Sequence, residues 1–423
     1  MRHSSPHQAR SFEWSISSAN RKIGFNISTF SELSLDAAIR RGIDDLHYLE
    51  TTSIQRTAIP VALAGHDIFA SAPTGSGKTA AFGIPLLQKL LERRSDRISA
   101  LVLTPTRELA QQVAQHLREL AKHTKLRIAP IYGGVAMAPQ IKAMRRGTDI
   151  VVATPGRLID LMQRSEVCLD NVAFFVLDEA DRMLDMGFLP DVKRIIAKLP
   201  ADRQTLCFSA TLGSAVVQLA RTFLRDPVRI NLGATTTPVA TVTQWVYEVE
   251  PHKKTDLLVD LLKDGRVFNA IVFTRTKSRA ERVAGALIRN SVDAERIHGD
   301  RSQAQRSRAL EAFRKGRHRI LVATDVASRG LDIADLGHVI NYDVPAEPTD
   351  YIHRVGRTGR AQKSGDAITF VSREEAGSFA RIESAMGTPL KRSDHNFMEP
   401  ASAQALTVQP EVRRRTFQRR RRR

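Results

Sequence analysis

Short apolar runs recur along the chain and alternate with segments of helical spacing. In the first half, runs with an apolar centre lie at 67–71, 99–104, 149–154, 173–178 and 205–210. Their apolar residues are continuous and do not alternate with polar ones, which is typical of strands covered on both faces of a parallel sheet. Between them, a segment such as 107–123 repeats its apolar residues at helical intervals. The pattern therefore predicts an α/β fold.

A second set of the same kind follows a break in the pattern. Residues 233–243, GATTTPVATVT, are mostly small or polar and include a proline, so we expect a linker there. Strand-like runs then resume at 270–274, 294–298, 319–324, 338–343 and 366–372. We predict two α/β domains, 28–232 and 244–390. They are flanked by a flexible extension, 1–27, and a disordered basic tail, 391–423.

The charge indicates the kind of partner. The formal net charge of +19 favours a polyanion, most simply a nucleic acid, although a basic excess can also serve solubility alone. The last twelve residues, VRRRTFQRRRRR, contain eight arginines and no acid. The rest of the chain is basic as well, so the tail alone does not account for the excess.

Composition also excludes several classes of protein. No run approaches 18 consecutive apolar residues and the N-terminus has no apolar leader, so we expect neither a membrane span nor secretion. The two cysteines, Cys168 and Cys207, are far apart, which argues against a disulfide framework or a zinc site. We expect both to be small buried residues of a cytoplasmic protein.

The segment ASAPTGSGKT, residues 70–79, has the context of a phosphate-binding loop. It follows a predicted strand and precedes a helical pattern. Gly75 and Gly77 allow backbone N–H groups to turn toward phosphate oxygens. Lys78 can reach the β- and γ-phosphates, and Thr79 can bind Mg²⁺. The strict pattern begins with glycine, where this chain has Ala72.

Three acids follow a second predicted strand in FFVLDEADRML, residues 174–184. Strand ends of a parallel sheet meet at one edge, so these acids should face the phosphate loop. We expect Asp178 to hold Mg²⁺ and Glu179 to orient and deprotonate the attacking water. Asp181 lies further along the chain and is predicted to bridge to another loop.

With these motifs the chain resembles the DEAD-box ATP-dependent RNA helicases, in particular the RhlE-like bacterial members, over about residues 28–390. The resemblance rests on an ordered series of motifs: PTREL (105–109), GG (133–134), TPGR (154–157), SAT (209–211), VFTRT (272–276), HGDRSQAQR (298–306), ATDVASRGLDI (323–333) and HRVGRTGR (353–360). It implies two tandem RecA-like domains with parallel sheets. ATP and RNA would bind at and across the cleft between them.

The resemblance also implies roles for individual residues. The catalytic set comprises Lys78, Asp178, Glu179 and the arginine fingers Arg357 and Arg360. Nucleotide contacts are expected from Phe30, Tyr48, Gln55, Ala72, Pro73, Thr74, Gly75, Ser76, Gly77, Lys78, Thr79, Gly330 and Asp332, and Mg²⁺ contacts from Thr79 and Asp178. RNA contacts are expected from Thr106, Arg107, Gly134, Thr154, Arg157, Thr274, Arg275 and Thr324. Asp181, Ser209, Thr211 and His353 would couple the nucleotide state to RNA binding.

One stretch departs from the family pattern. The family's adenine-reading Q motif reads Gly-aromatic-x-x-Pro-Thr-Pro-Ile-Gln, whereas residues 47–55 read HYLETTSIQ, with His47, Thr51 and Ser53 in place of Gly, Pro and Pro. The amide of Gln55 can still pair with the donor and acceptor of adenine. Losing two prolines raises the entropy of ordering the loop. We expect ATP to be preferred over GTP.

We therefore predict an ATP-dependent RNA helicase that clamps RNA and separates short duplexes, with ATP and Mg²⁺ as cofactors. An RNA clamp or assembly platform that unwinds little has the same motifs. A DNA translocase fits the Q-motif residues and the DEAD spelling less well, and a non-enzymatic RNA chaperone conflicts with the intact catalytic set. Candidate protein partners belong to ribosome assembly or RNA degradation.

Overall fold

The computed structural model describes residues 27–73, 75–92, 95–232, 242–265, 267–325, 336–359 and 365–392. Four predicted site residues lie outside these ranges: Thr74, Gly330, Asp332 and Arg360. The same holds for residues 1–26, most of the predicted linker and residues 393–423. Among the described residues, no helix combines the length and apolar character needed to cross a membrane.

The first half of the chain forms one parallel sheet of seven strands in the order β3-β4-β2-β5-β6-β1-β7. The strands are β1 (Ile68–Ser71), β2 (Ala100–Leu103), β3 (Ile128–Ile131), β4 (Ile150–Ala153), β5 (Phe174–Leu177), β6 (Gln204–Ser209) and β7 (Val228–Asn231). The helices are α1 (Ala37–Asp45), α2 (Ser53–Leu63), α3 (Lys78–Glu92), α4 (Arg107–Leu120), α5 (Ala138–Arg145), α6 (Pro155–Gln163), α7 (Ala180–Asp185), α8 (Leu189–Ile196) and α9 (Ser214–Arg221). A 3-10 turn, Phe30–Glu32, precedes them.

The second half forms another parallel sheet of seven strands in the order β10-β11-β9-β12-β13-β8-β14. The strands are β8 (Val242–Glu248), β9 (Ala270–Thr274), β10 (Ala294–Ile297), β11 (Ile320–Thr324), β12 (His338–Asn341), β13 (Gly365–Val371) and β14 (Lys391–Arg392). The helices are α10 (Lys254–Lys263), α11 (Lys277–Arg289), α12 (Gln303–Arg314), α13 (Pro348–Val355) and α14 (Ala376–Met386), and a 3-10 turn spans Arg373–Glu375. Each strand of this sheet takes the place of the strand seven numbers earlier in the first sheet.

The predicted α/β fold with two parallel sheets is confirmed. Every residue of β1, β2, β4, β5 and β6 is buried, as continuous apolar runs predict for strands with helices on both faces. One apolar cluster packs α1 to α4 against the first sheet, and another packs α6 to α9 on its opposite face. Because helices pack on both faces of the first sheet, the loops at the strand ends are held in fixed positions.

Several boundaries differ from the sequence-based expectation. The edge strands β3, β7 and β14 and the neighbouring β8 are absent from the predicted runs; β3 contains Pro130, which an edge strand tolerates because one side needs no hydrogen bond. The predicted linker overlaps β8 at Val242 and Thr243. The predicted tail begins within β14, whose pairing with β8 is supported by a cation–π contact of Lys391 with Trp245. Ile27, placed in the flexible extension, is buried.

Smaller expectations also change. The helix predicted over 107–123 ends at Leu120. Cys207 is buried as expected, but Cys168 is exposed, since it lies in the loop after α6 and not in a strand. Neither change alters the sheet.

Candidate functional site

The strand order separates the predicted site residues into two groups. The phosphate loop, the acidic motif and SAT follow β1, β5 and β6, which are neighbours in the order β5-β6-β1. The residues predicted to contact RNA in the first domain follow β2, β3 and β4, which form the other half of the same sheet. Because the strands are parallel, all these loops lie at one edge, with the two groups side by side.

The phosphate loop bends sharply between β1 and α3. Gly75 and Gly77 have φ values of 82° and 93°, which residues with a Cβ rarely adopt. Lys78 is the first residue of α3 and is buried, and its Nζ donates a hydrogen bond to the carbonyl of Ala72 at 3.0 Å. The Ser76 hydroxyl donates to the Pro73 carbonyl at 2.8 Å. The lysine is thus held at the mouth of the loop.

The two acids after β5 are both buried. Glu179 has a φ of 52°, and its backbone N–H donates to Oδ1 of Asp178 at 2.9 Å. Burial, with the nearby charge of Glu179, raises the pKa of Asp178 even though Lys78 acts in the opposite direction. Burial also raises the pKa of Glu179, but Arg182, which donates to Oε2 at 2.6 Å, and Lys78 outweigh it and hold this pKa below its usual range. Glu179 is therefore the more acidic carboxyl.

Asp181 connects the acidic motif with SAT. Its Oδ2 accepts hydrogen bonds from the backbone N–H groups of Ala210 and Thr211 at 3.0 and 2.8 Å and from the Thr211 hydroxyl at 3.0 Å. Its own N–H donates to the Ser209 hydroxyl at 3.3 Å. The ends of β5 and β6 are therefore joined by four hydrogen bonds through one carboxylate and its backbone.

Residues 47–55 lie against the phosphate loop. The Nε2 of Gln55 donates to the Gly77 carbonyl at 3.2 Å, and its Oε1 accepts from the Thr52 N–H at 2.9 Å. Tyr48 lines the cleft. Phe30, expected to contact the nucleotide, is buried in the core and stacks on Tyr48 with ring centroids 5.8 Å apart. Phe30 therefore packs against residues 47–55 on the side of the core, as buried aromatic side chains commonly do.

Residues of both domains line one large cleft of about 1410 Å³. Its lining includes Lys78, Thr79, Asp178 and Glu179 of the first domain and Arg357 of the second. Arg357 is buried and is one of the charges that lower the pKa of Glu179. His353, one helical turn before Arg357, has a lowered pKa because of burial and the charge of Arg182. The second domain therefore delivers an arginine to the acidic motif.

The predicted RNA contacts of the first domain form a second group. Thr106 caps α4 by accepting from the Leu109 N–H at 3.3 Å. Arg107 lies over Gly134, where an added Cβ would come within 1.7 Å of its Nη1. Arg157 donates to the Val135 carbonyl at 3.1 Å. Thr154 precedes α6 and is buried.

In the second domain the corresponding residues follow β9 and β11, which are neighbours. Thr274 and Thr324 are buried at the strand ends. Arg275 is held by Asp343, which accepts its backbone N–H at 2.7 Å, and by Glu375, which accepts from its Nη2 at 3.2 Å. Because β9 and β11 take the places of β2 and β4, the predicted RNA residues of the two domains occupy equivalent halves of the sheets.

A contact between the domains was not predicted from the sequence. Glu108 on α4 forms an ion pair of 2.8 Å with Arg306 on α12, and Gln303 donates to the same carboxylate at 3.2 Å. The signal was present, since Glu108 lies in PTREL and Gln303 and Arg306 lie in HGDRSQAQR. Sequence order alone does not reveal that the two motifs meet.

Comparison with known proteins agrees with this arrangement. Residues 52–219 match the family model of the DEAD/DEAH box helicase, and residues 253–362 match that of the helicase conserved C-terminal domain. The DEAD-box ATP-dependent RNA helicase CshA of Geobacillus kaustophilus is 43% identical over 386 residues, which is 91% of this chain and 82% of the relative. CshA of Bacillus subtilis is 42% identical over 91% of this chain and 77% of its own length. The narrower RhlE-like resemblance stays a prediction.

A solved structure extends the agreement to the fold. Saccharomyces cerevisiae Dbp5 bound to RNA and ADP BeF3 superposes with a TM-score of 0.78 at 31% identity, covering 88% of this chain and 96% of that one. The match confirms the expected tandem RecA-like domains, since a single domain would not reach this coverage. On both the sequence and the structural comparisons, the chain belongs to the DEAD-box ATP-dependent RNA helicase family.

Proposed function

We propose that the chain is an RNA-stimulated ATPase that clamps RNA when ATP binds, locally unwinds short duplexes or remodels RNA–protein complexes, and releases RNA after hydrolysis. One observation carries the proposal. Lys78, Glu179 and Arg357 from two domains line one cleft, while the predicted RNA residues occupy the adjoining half of both sheets. A nucleotide in the cleft would therefore hold together the two halves of the RNA surface.

The cleft residues suit phosphoryl transfer to water. Lys78 would neutralise charge on the phosphates, and Arg357 would do so from the opposite side once the domains close. Glu179, kept ionised by Arg182 and Lys78, would orient the attacking water and accept its proton. Hydrolysis would thus depend on domain closure, which ATP and RNA both favour.

The residues also suit Mg²⁺. Asp178 is a buried carboxyl with a raised pKa beside a second acid, and a divalent cation would offset that crowding of negative charge. Asp178 and Thr79 would hold the ion through hard oxygen ligands. When bound, Mg²⁺ supplies charge neutralisation at the triphosphate.

The most direct test measures ATP hydrolysis by the full chain with single-stranded RNA, with DNA of the same sequence and with no polymer. We expect stimulation by RNA alone. Stimulation by DNA to the same degree would favour a translocase, and no ATP hydrolysis under any condition would overturn the proposal.

A second candidate, an RNA clamp or assembly platform with little unwinding, uses the same residues. Displacement of a strand from a short RNA duplex distinguishes it, because a clamp holds RNA with ATP but leaves the duplex intact.

Protein partners from ribosome assembly or RNA degradation, a cytoplasmic location and the domain limits 28–232 and 244–390 are also proposals. Co-purification, fractionation and limited proteolysis would test them.

A further inference from the structure

The adenine-reading loop, residues 47–55, is held without the residues that normally stiffen it. His47 has a φ of 55°, in the left-handed region that glycine enters at no steric cost. The two family prolines are replaced by Thr51 and Ser53. The loop nevertheless keeps its contact with the phosphate loop through Gln55. Something other than proline therefore orders it.

Thr51 supplies hydrogen bonds that proline lacks. Its backbone N–H donates to the Ser28 carbonyl at 3.0 Å, and its hydroxyl shares its one proton between the Ile27 carbonyl at 2.8 Å and the Ser28 carbonyl at 3.1 Å. Thr51 is buried, 5% exposed, so water competes little for these bonds. A proline here has neither donor.

The segment whose carbonyl groups accept these hydrogen bonds is ordered by hydrogen bonds of its own. We call residues 27–32 the N-terminal clasp. The Glu32 carboxylate accepts the backbone N–H groups of Ser28 and Thr29 at 3.0 and 2.9 Å. Thr29 forms an antiparallel bridge with Glu50, next to Thr51. The clasp thus presents fixed carbonyl groups to the loop.

On its other side, the loop leads directly to the phosphate loop. Thr52 begins the capping of α2, with its N–H donating to Oε1 of Gln55 at 2.9 Å. Nε2 of Gln55 donates to the Gly77 carbonyl. Thr51 therefore lies between the clasp and the amide expected to read the base.

We propose that the N-terminal clasp is a positioning element of the nucleotide site, and that Thr51 couples it to base recognition in place of the missing prolines. The inference rests on the proposed ATPase function. Its consequence is specific: ATP affinity and the preference for ATP over GTP depend on the Thr51 hydroxyl, whereas binding of the phosphates does not.

The test compares the full-length Thr51→Val and Thr51→Ser variants with the parent chain. Valine keeps the shape of threonine but removes the hydroxyl, and serine keeps the hydroxyl. Calorimetry would measure binding of ATP, GTP and inorganic tripolyphosphate, which lacks a base, and steady-state kinetics would measure KM and kcat with RNA. Thr57→Val is the matched control, because it removes the same group at an exposed position. The Thr57 hydroxyl donates within α2, to the Ser53 carbonyl at 3.0 Å.

We expect Thr51→Val to weaken ATP binding and raise the KM for ATP by about five-fold, the loss of one net hydrogen bond. Binding of GTP and tripolyphosphate and kcat at saturating ATP and RNA should stay unchanged. Thr51→Ser and Thr57→Val should behave as the parent. Glu32→Ala, an exposed change that loosens the clasp without altering the core, should weaken ATP binding about two-fold in the same selective way.

Unchanged ATP affinity in Thr51→Val, or equal weakening of ATP and tripolyphosphate binding, would overturn the inference. If valine prevents folding, the selectivity of Glu32→Ala decides. A parent chain that binds ATP more tightly than tripolyphosphate but shows no RNA-stimulated hydrolysis would reject the proposed function while leaving the binding test of Thr51 readable.

Discussion

Glu108 of the first domain and Arg306 of the second are joined by an ion pair of 2.8 Å, in which the two side chains are only 7% and 11% exposed. Gln303 donates to the same carboxylate. The pair lies between α4 and α12, on the lining of the cleft that also contains Lys78 and Arg357. This ion pair between the domains therefore lies on the same cleft as the proposed catalytic residues.

Glu108→Gln should weaken the closed state. The substitution leaves Arg306 without its charged partner, a loss of about 2 kcal/mol or more for a buried pair. For RNA-stimulated ATP hydrolysis, the kcat/KM with respect to RNA should fall by roughly 30-fold, the factor that corresponds to about 2 kcal/mol at room temperature. ATP binding in the absence of RNA should stay unchanged. Arg308→Ala, an exposed arginine on α12, is the control. Full RNA stimulation in Glu108→Gln would show that the pair does not support closure.

Glu179→Gln should stop turnover while nucleotide binding persists, because the amide keeps the shape of the side chain but cannot accept the proton of water. RNA release in the presence of ATP should slow, because without hydrolysis the domains stay closed on the RNA. Lys78→Ala should instead weaken ATP binding. Single-turnover hydrolysis and equilibrium nucleotide binding separate the two. Hydrolysis by Glu179→Gln at the parent rate would assign the base elsewhere.

Arg357→Ala should lower RNA-stimulated hydrolysis by roughly 10³-fold, at the low end of arginine-finger effects. ATP affinity of the open form should change little, because the arginine belongs to the other domain. The same is expected of Arg360→Ala. Arg373→Ala, an exposed arginine of the second domain, is the control. Parallel losses of ATP affinity and turnover would contradict a finger role.

Lys254→Met should destabilise the second domain by about 3 kcal/mol, the low end for breaking a buried ion pair, because Glu375 then keeps only the half-exposed Arg275 as a cation. Lys254 donates to Glu375 at 2.6 Å and to the Tyr342 carbonyl at 2.8 Å. Urea unfolding monitored at pH 7 measures the change. Lys263→Met, at the last residue of the same helix and exposed, should be close to neutral. Equal stability of the two variants would contradict the assignment.

The same ion pair predicts a dependence of stability on pH. Burial raises the pKa of Glu375, but hydrogen bonds from Lys254 and Ser372 outweigh it and hold the pKa below 4.5, its usual value. A carboxyl with a depressed folded pKa contributes stability that is fully present above pH 4.5 and is lost as the pH falls through the folded value. In Lys254→Met this loss should become smaller on the acid limb of the unfolding curve, because Ser372 and Arg275 still donate to the carboxylate.

Truncation after residue 410 should flatten the dependence of RNA affinity on salt. Each neutralised single-strand phosphate adds about 0.7 to the slope of log affinity against log salt. The eight arginines therefore bound the contribution at roughly 5–6, and we expect about half. Affinity should fall equally for all RNA sequences, and turnover at saturating RNA should survive. An unchanged slope would show that the tail does not bind phosphates.

The phosphate loop, the acidic motif and the strands of the sheet centres could be predicted because their information is local. A buried strand needs a continuous apolar run, and a phosphate loop needs its glycines and lysine at fixed spacing. Three of the four edge strands of the described sheets, β3, β7 and β14, were missed because one side is unpaired, so a sequence such as Ile128–Ile131 can include proline and half-exposed residues.

The sequence by itself determined two α/β units and which loops carry the chemistry. Only the tertiary structure decided which distant groups meet: Glu108 with Arg306, and Thr51 with the carbonyls of Ile27 and Ser28. For Asp181, which was predicted to bridge to another loop, it identified the partner atoms on Ala210 and Thr211. It also places Phe30 in the core, stacked on Tyr48. The reason is physical: local periodicity encodes burial, whereas a hydrogen bond or ion pair between distant segments depends on how the packed elements orient their side chains.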